Sequence, residues 1–424
     1  MTRIVTSWTY VGILIGLFVS CSMMMSPAWR PGIAVIASDE STNPPEEIPQ
    51  LAGWVLKGLN WQFTPPVWET EEVIANMREH GANALRRHFA SAPLMESNTT
   101  TRATYFERWH NVANWAAQNG MWVIYDFYGR FIGGRDADGM RWVWEMPEED
   151  FLAMWRMIAQ EMRGHGNVLL ELGNEPNDFG ETDPTHRDIW MQRCIKAITI
   201  MREEGFTGYI VIPIPECATW AHPVYPYRQQ VVDADPLDRF MWDFHYYWFH
   251  HEYQVGTPND YSLESVEDWL DYRGISGLLA AGDRVLCGEF GVHGQRYDPR
   301  DFQWFQNLLT ILNRDGYDRI CEAYQPDYNF PQLLGTEDTT DWRTLNTQGN
   351  TYVSAFPPNL SYYTPPPLDT ELPPNPDPSP LPEYPREGVN KQSPGCVLAS
   401  LDQTQPPQTI DLIRVELLVS LKDE

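Results

Sequence analysis

"GHGNVLLELGNEPND", residues 164–178, is the stretch whose reading decides the fold. It follows "PEEDFLAMWRMIAQEMRG", where apolar residues recur at three- and four-residue spacing, as on one face of an amphipathic helix. Gly166 then supplies a stop, since glycine accepts the left-handed conformation that commonly caps a helix. After it, Val168 to Leu172 is almost wholly apolar and reads as a short strand destined for a core. A helix, a glycine and a buried strand make one unit of an alternating α/β fold. Yet this strand carries one carboxylate inside it, Glu171, and a second at its tip, Glu175.

The same punctuation recurs along the chain. "EHGAN" at Gly81, "QNGMW" at Gly120, "EEGFTGY" at Gly205, "AAGDRV" at Gly282 and "RDGYDRI" at Gly316 each close a helix-like segment and open a strand-like one. The interval from Gly205 to Gly282 is about twice the others, which implies one more unit whose helix ends differently. With the first strand included, eight strands are expected: 54–60, 82–89, 121–128, 168–175, 208–215, 240–247, 284–291 and 319–325. Eight strands alternating with helices fit a (β/α)8 TIM barrel, and no GxGxxG follows the first strand to suggest a dinucleotide fold. Trp155 and Trp304, on the helical segments, are expected to pack helices onto the barrel.

A chain of 424 residues with 42% hydrophobic content can bury a large core. Its formal net charge of −28 would repel a phosphate backbone, so no nucleic-acid partner is expected. The six cysteines include no CxxC, which excludes a disulfide scaffold or a zinc motif. Cys287 and Cys321 fall on adjacent expected strands, where they either pair or remain two buried thiols.

Both ends of the chain differ from its middle. Residues 1–37 carry Arg3 and an apolar run from Trp8 to Val19 too short for a comfortable membrane span, which reads as a secretory signal segment. A membrane or lipid anchor is the alternative, with Cys21 as the lipid site. Residues 38–49 form a linker and 50–357 the barrel domain. Residues 358–385 are proline-rich and extended, and 386–424 are a tail to which the sequence assigns no role. The expected product is secreted or held at the cell surface.

In a (β/α)8 barrel the reactive groups sit at the C-terminal ends of the strands, where Glu175 and Glu289 both fall. By the two-residue period Glu171 lies below Glu175 inside the barrel, where a buried carboxylate needs a cation. Arg86 on the second strand is the expected partner, which makes Glu171 a structural acid. Two carboxylates across a barrel mouth suit glycosidic bond cleavage, in which one protonates the leaving oxygen while the other attacks or activates water. His245 and Tyr247 share one face of the sixth strand and can reach the same mouth.

"LELGNEPN" and "VLCGEFG", with "KGLNW", "NALRRHF" and "DFHYY", resemble glycoside hydrolase family 5, the cellulase-type retaining enzymes of clan A, over roughly residues 50 to 355. The resemblance implies that Glu175 is the general acid/base and Glu289 the nucleophile. It implies that Asn174 holds the sugar 2-hydroxyl, that Arg86 orients and ionises Glu289, and that His245 and Tyr247 line the site. It implies no cofactor and no metal. Two positions depart from the family: Tyr128 stands where a histidine is usual, and Gln325 where a platform tryptophan is usual.

Long loops add Trp142, Trp144, Trp220 and Trp248, whose ring faces suit sugar C–H surfaces. The reading is thus a monomeric, retaining hydrolase of β-linked glucan or mannan, as polysaccharide or oligosaccharide. The competing readings are a catalytically idle carbohydrate-binding barrel and a cell-surface scaffold protein.

Overall fold

The computed structural model describes residues 56–61, 69–90, 94, 99–128, 131–132, 135–136, 147–176, 184–254, 260–292, 299–324, 333–334, 341, 343–357 and 360–364. The signal, linker and tail assignments at 1–37, 38–49, 365–385 and 386–424 lie outside the described residues. Among the described residues no helix is long and apolar enough to cross a membrane.

Eight parallel strands close into a barrel: β1 (Lys57–Trp61), β2 (Ala84–Ala90), β3 (Trp122–Tyr128), β4 (Val168–Glu171), β5 (Ile210–Pro213), β6 (Phe240–Tyr247), β7 (Val285–Gly291) and β8 (Asp318–Cys321). Each strand pairs with its neighbours in sequence, and β8 pairs back to β1 through Lys57 with Arg319 and Gly58 with Ile320. The main helices between them are α1 (Glu71–Glu79), α2 (Thr99–Gln118), α3 (Glu148–Met162), α4 (Pro184–Glu203), α5 (Arg228–Ala234), α6 (Leu263–Tyr272) and α7 (Pro299–Arg314), and α8 (Thr347–Ser354) follows β8. This is the (β/α)8 barrel that the alternation implied. The doubled interval holds β5, α5, β6 and α6, and α5 ends at Ala234 without a glycine.

Of the glycine stops, Gly81, Gly120, Gly205, Gly282 and Gly316 have positive φ, the backbone that a side chain would strain. Gly166 does not, so the helix before β4 ends by another geometry.

Strand alternation divides the core in two. Leu85, Val123, Tyr125, Leu170, Ile212, Phe244 and Cys287 face the helices, where Trp109, Trp155, Trp269 and Trp304 pack against them. Ala84, Ile124, Leu169, Val211, Met241, Leu286 and Ile320 are buried outside that cluster and fill the barrel. Tyr352 of α8 donates its hydroxyl to the Gly58 carbonyl at 2.8 Å and the Arg319 carbonyl at 3.2 Å, tying β1 to β8.

Ser361 to Tyr363, which the sequence assigned to the linker, lie against the barrel instead. The Tyr363 amide donates to the Gly120 carbonyl at 2.8 Å, its ring meets Trp122 edge-on, and Asn83 donates to the Ser361 carbonyl. These aromatic residues have strand-start partners that a proline-rich composition does not reveal. Cys287 and Cys321 are separate buried thiols, so the unpaired alternative holds.

Candidate active site

The inward faces of the strands build the site. On β2, Leu85 and Phe89 face the helices, which leaves Arg86 and His88 pointing inward. Asp126 of β3, Glu171 of β4, and Asp243 and His245 of β6 follow the same rule and are fully buried. On β7 the alternation is broken. His245 pairs with Glu289 although Phe244 pairs with Cys287, so Gly288 is an extra residue in the strand. Without this bulge Glu289 would share the helix-facing side of Cys287. A Cβ at Gly288 would collide with the Asp243 carboxylate, so glycine is what fits there.

Arg86 joins the parts. Its Nε and Nη2 donate to the two oxygens of Glu171 at 2.7 and 2.6 Å, and Nη2 also reaches Asn174 Oδ1 at 2.8 Å and Asp126 at 3.2 Å. Nη1 donates to Glu289 Oε1 at 2.7 Å. Burial opposes this charge, but Asp126, Glu171 and Glu289 hold the guanidinium well above its ordinary range, so it stays a cation. Glu171 thus has the partner expected of it.

Two carboxylates at the mouth occupy contrasting settings. Glu289 accepts from Arg86 on Oε1 and from the Tyr247 hydroxyl on Oε2 at 2.8 Å, with His245 Nδ1 3.4 Å away. Burial alone would raise its pKa, but the charges of His245 and Arg86 and the Tyr247 hydrogen bond bring it down to about 2. Glu175 accepts from His245 Nδ1 at 2.8 Å. Burial raises its pKa above the ordinary carboxylate value; the His245 contact opposes this and the nearby Glu289 charge adds to it. A carboxylate oxygen of Glu175 and one of Glu289 lie within 4.8 Å. The Glu175 side chain is 18% exposed against 6% for Glu289, so Glu175 borders the solvent.

His245 stands between them. Its Nε2 meets Asp243 at 3.1 Å. Burial disfavours the imidazolium, but Glu289, Asp243 and the hydrogen bonds to Asp243 and Glu175 raise its pKa well above the ordinary value. It therefore remains charged, with Nδ1 donating to Glu175 and Nε2 ion-paired with Asp243. Burial, then Glu289 and Glu322, likewise push the Tyr247 phenol up, which keeps it a donor.

The structure thus brings together Arg86, Asn174, Glu175, His245, Tyr247 and Glu289. Trp248 begins a short helix, Trp248–Gln254, where its ring meets Phe249 at 5.1 Å and packs on the core. Trp142, Trp144, Gln325 and the Tyr128 side chain lie outside the described residues. His250 and His251 belong to that same helix. His251 is buried against Tyr246 at 2.7 Å, and His250 Nδ1 accepts from the Tyr247 amide at 3.3 Å.

Sequence reasoning missed His88, Asp126, Asp243 and Glu322. His88 Nδ1 lies against the Asp126 carboxylate, and its Nε2 lies 3.3 Å from Arg86 Nη1 and 3.6 Å from Glu289. Burial and Arg86 lower its pKa although Asp126 opposes them, so the ring is neutral. Strand parity was the available signal: His88 is two residues from Arg86, and Asp243 is two from His245.

Fold and site together define a class: a (β/α)8 barrel with two carboxylates and their cations gathered at the strand ends. Residues 41–321 match cellulase, glycosyl hydrolase family 5, and the chain belongs to that family. It is 25% identical over 264 residues to a manganese-dependent endoglucanase of Phanerodontia chrysosporium, covering 56% of this chain and 64% of that protein. It is also 25% identical over 147 residues to a β-mannanase/endoglucanase of Caldicellulosiruptor saccharolyticus, 34% of this chain and 10% of that one. The chain thus spans less than two thirds of the length of these curated relatives. An endoglucanase structure from Pseudomonas stutzeri superimposes with a TM-score of 0.54 at 20% identity, over 74% of this chain and 97% of that one. An endocellulase from Pyrococcus horikoshii, solved with cellotetraose, does so with a TM-score of 0.54 at 17% identity, over 71% and 92%. These two likenesses concern the fold.

Proposed function

We propose that the protein is a secreted, monomeric retaining glycoside hydrolase that cleaves β-linked glucan or mannan chains. One observation carries the mechanism: two carboxylates within 4.8 Å whose proton affinities are driven apart, Glu289 to about 2 and Glu175 upward. Retaining enzymes hold their carboxyl groups about 5–5.5 Å apart, inverting ones about 6.5–9.5 Å, to admit a water. The closeness of one oxygen of each carboxylate is in keeping with direct attack.

Glu289, anionic and aimed by Arg86 and Tyr247, attacks the anomeric carbon. Glu175 gives its proton to the leaving oxygen as the glycosidic bond breaks, which leaves a glycosyl ester on Glu289. Glu175, now a carboxylate, takes a proton from water as the water attacks that ester and frees Glu289. His245 steadies both acids. Asn174, held by Arg86 through Oδ1, keeps its amide donors for the sugar 2-hydroxyl.

The glucan or mannan assignment is supported by the activities named for the two relatives. Secretion is supported by the apolar run after Arg3. The manganese in one relative's name does not fit this donor set. Among the described residues, each group with ligand-like spacing contains Glu289 or His245, whose polar atoms are committed to Arg86, Tyr247, Asp243 and Glu175. No step is routed through a metal.

Proton NMR of the first product from a panel of β-glucans and β-mannans tests this reading. Retention predicts that the β-anomer forms first. An α-anomer first, or no hydrolysis of any member, contradicts it.

A further inference from the structure

Immediately after β8 the chain places a buried carboxylate. β8 ends at Cys321, whose side chain belongs to the helix-facing core, and the next residue, Glu322, turns inward with no exposed surface. Its backbone is held from both sides. The Glu322 amide donates to the Phe290 carbonyl at 3.0 Å, and its carbonyl accepts from Gln348 Nε2 at 3.2 Å. The same Gln348 accepts from the Val292 amide at 2.7 Å, so Glu322 is clamped to the end of the strand that carries Glu289. A carboxylate oxygen of Glu322, one of Glu289 and a ring nitrogen of His88 lie within 4.8 Å of one another, all on buried side chains.

This position matters because of what a substrate would bring to it. A sugar whose anomeric carbon meets Glu289 comes within reach of Glu322, whose carboxylate lies beside that of Glu289. An ionised carboxylate only accepts hydrogen bonds, and sugar hydroxyls can donate them. An aromatic platform reads the C–H face of a ring whatever its hydroxyl pattern. A carboxylate instead reads hydroxyls at one place, and a site built to bind a hydroxyl rejects the analogue that lacks it.

We propose that Glu322 determines specificity by accepting hydrogen bonds from hydroxyls, other than the 2-hydroxyl, of the sugar undergoing cleavage. The ligand class is a β-linked hexose with at least one of its C3, C4 or C6 hydroxyls free. This role rests on the hydrolase reading above and goes beyond it, since it names a residue that selects the sugar by its hydroxyls.

The test pairs enzyme and substrate changes in the full-length protein. Wild type and Glu322→Gln are compared on 4-nitrophenyl β-glycosides and biosides whose nitrophenyl-bearing sugar lacks one hydroxyl at C3, C4 or C6. Wild type is expected to lose about 100-fold or more in kcat/KM on at least one deoxy substrate. Glu322→Gln, near-isosteric and of unchanged volume, is expected to lose about 30-fold or more on the parent and about threefold or less further on that deoxy substrate, because the two changes remove one interaction. Equal deoxy penalties in both enzymes overturn the proposal. A flat deoxy profile in wild type overturns it as well, with no need of a folded variant. If wild type hydrolyses no β-glycoside or β-glycan, the hydrolase reading falls and this role with it; hydrolysis with a flat profile removes only the role of Glu322.

Discussion

The ends of β4 and β7 each deliver a glutamate to the same place by different means. On β4 the ladder stops at Glu171 and the chain bends, so that consecutive residues, Asn174 and Glu175, both reach inward. On β7 the strand continues, and the extra Gly288 switches the face on which Glu289 emerges. The settings differ as well. Glu289 is ringed by Arg86, Tyr247, His245 and His88, whereas Glu175 has His245 and lies nearer solvent. Cations and donors within reach decide which glutamate keeps its proton, and residue type does not.

The largest expected effect comes from removing the anionic member. Glu289→Ala should lower kcat on the order of 10^6-fold, the scale seen when a nucleophile is deleted. Added azide should restore part of the turnover and yield the α-glycosyl azide, which NMR identifies. Glu175→Gln should cost about 10^2–10^4-fold, the usual contribution of general acid catalysis, and most on substrates with poor leaving groups. In wild type, activity requires Glu175 protonated, so it falls as pH rises through the raised pKa of Glu175. A pH–rate profile of Glu175→Gln should lack that alkaline limb.

Arg86→Met tests how Glu289 is kept charged. It leaves buried carboxylates without their cation and should destabilise the fold by about 3–5 kcal/mol in chemical denaturation. The sign for Glu289 is that of a lowered carboxylate: its stabilisation is present above the unfolded value of 4.5 and lost as pH falls toward about 2. Without Arg86 the acid limb of activity should move to higher pH. The smallest effect belongs to the bulge. Gly288→Ala sets a methyl group against Asp243 and should cost about 1–3 kcal/mol of stability, read from the denaturant midpoint.

Most of the barrel was legible because its signals are local. Glycine stops and apolar runs marked eight strands, and those from 240 and 285 agree with expectation nearly residue for residue. Glu171 with Arg86 followed from the cost of burying a charge. The site was harder. Strand parity says that His88 and Asp243 face inward, but not that they would meet Asp126 and His245, because those contacts join residues far apart in the chain. The bulge at Gly288 is a pairing between two strands, which the glycine inside one of them marks but does not define. Nor could the two-residue period place Asn174 beside Glu175, since the strand has ended before them.

The central claim is that Glu289, and no water, meets the anomeric carbon. Incubation with a 2-deoxy-2-fluoro-β-glycosyl fluoride of the preferred sugar, followed by digestion and mass spectrometry of the peptides, tests it most directly. The account predicts one covalent glycosyl group, on the peptide containing Glu289. A label on Glu175, or active enzyme that never acquires a label and releases the α-anomer, would contradict it.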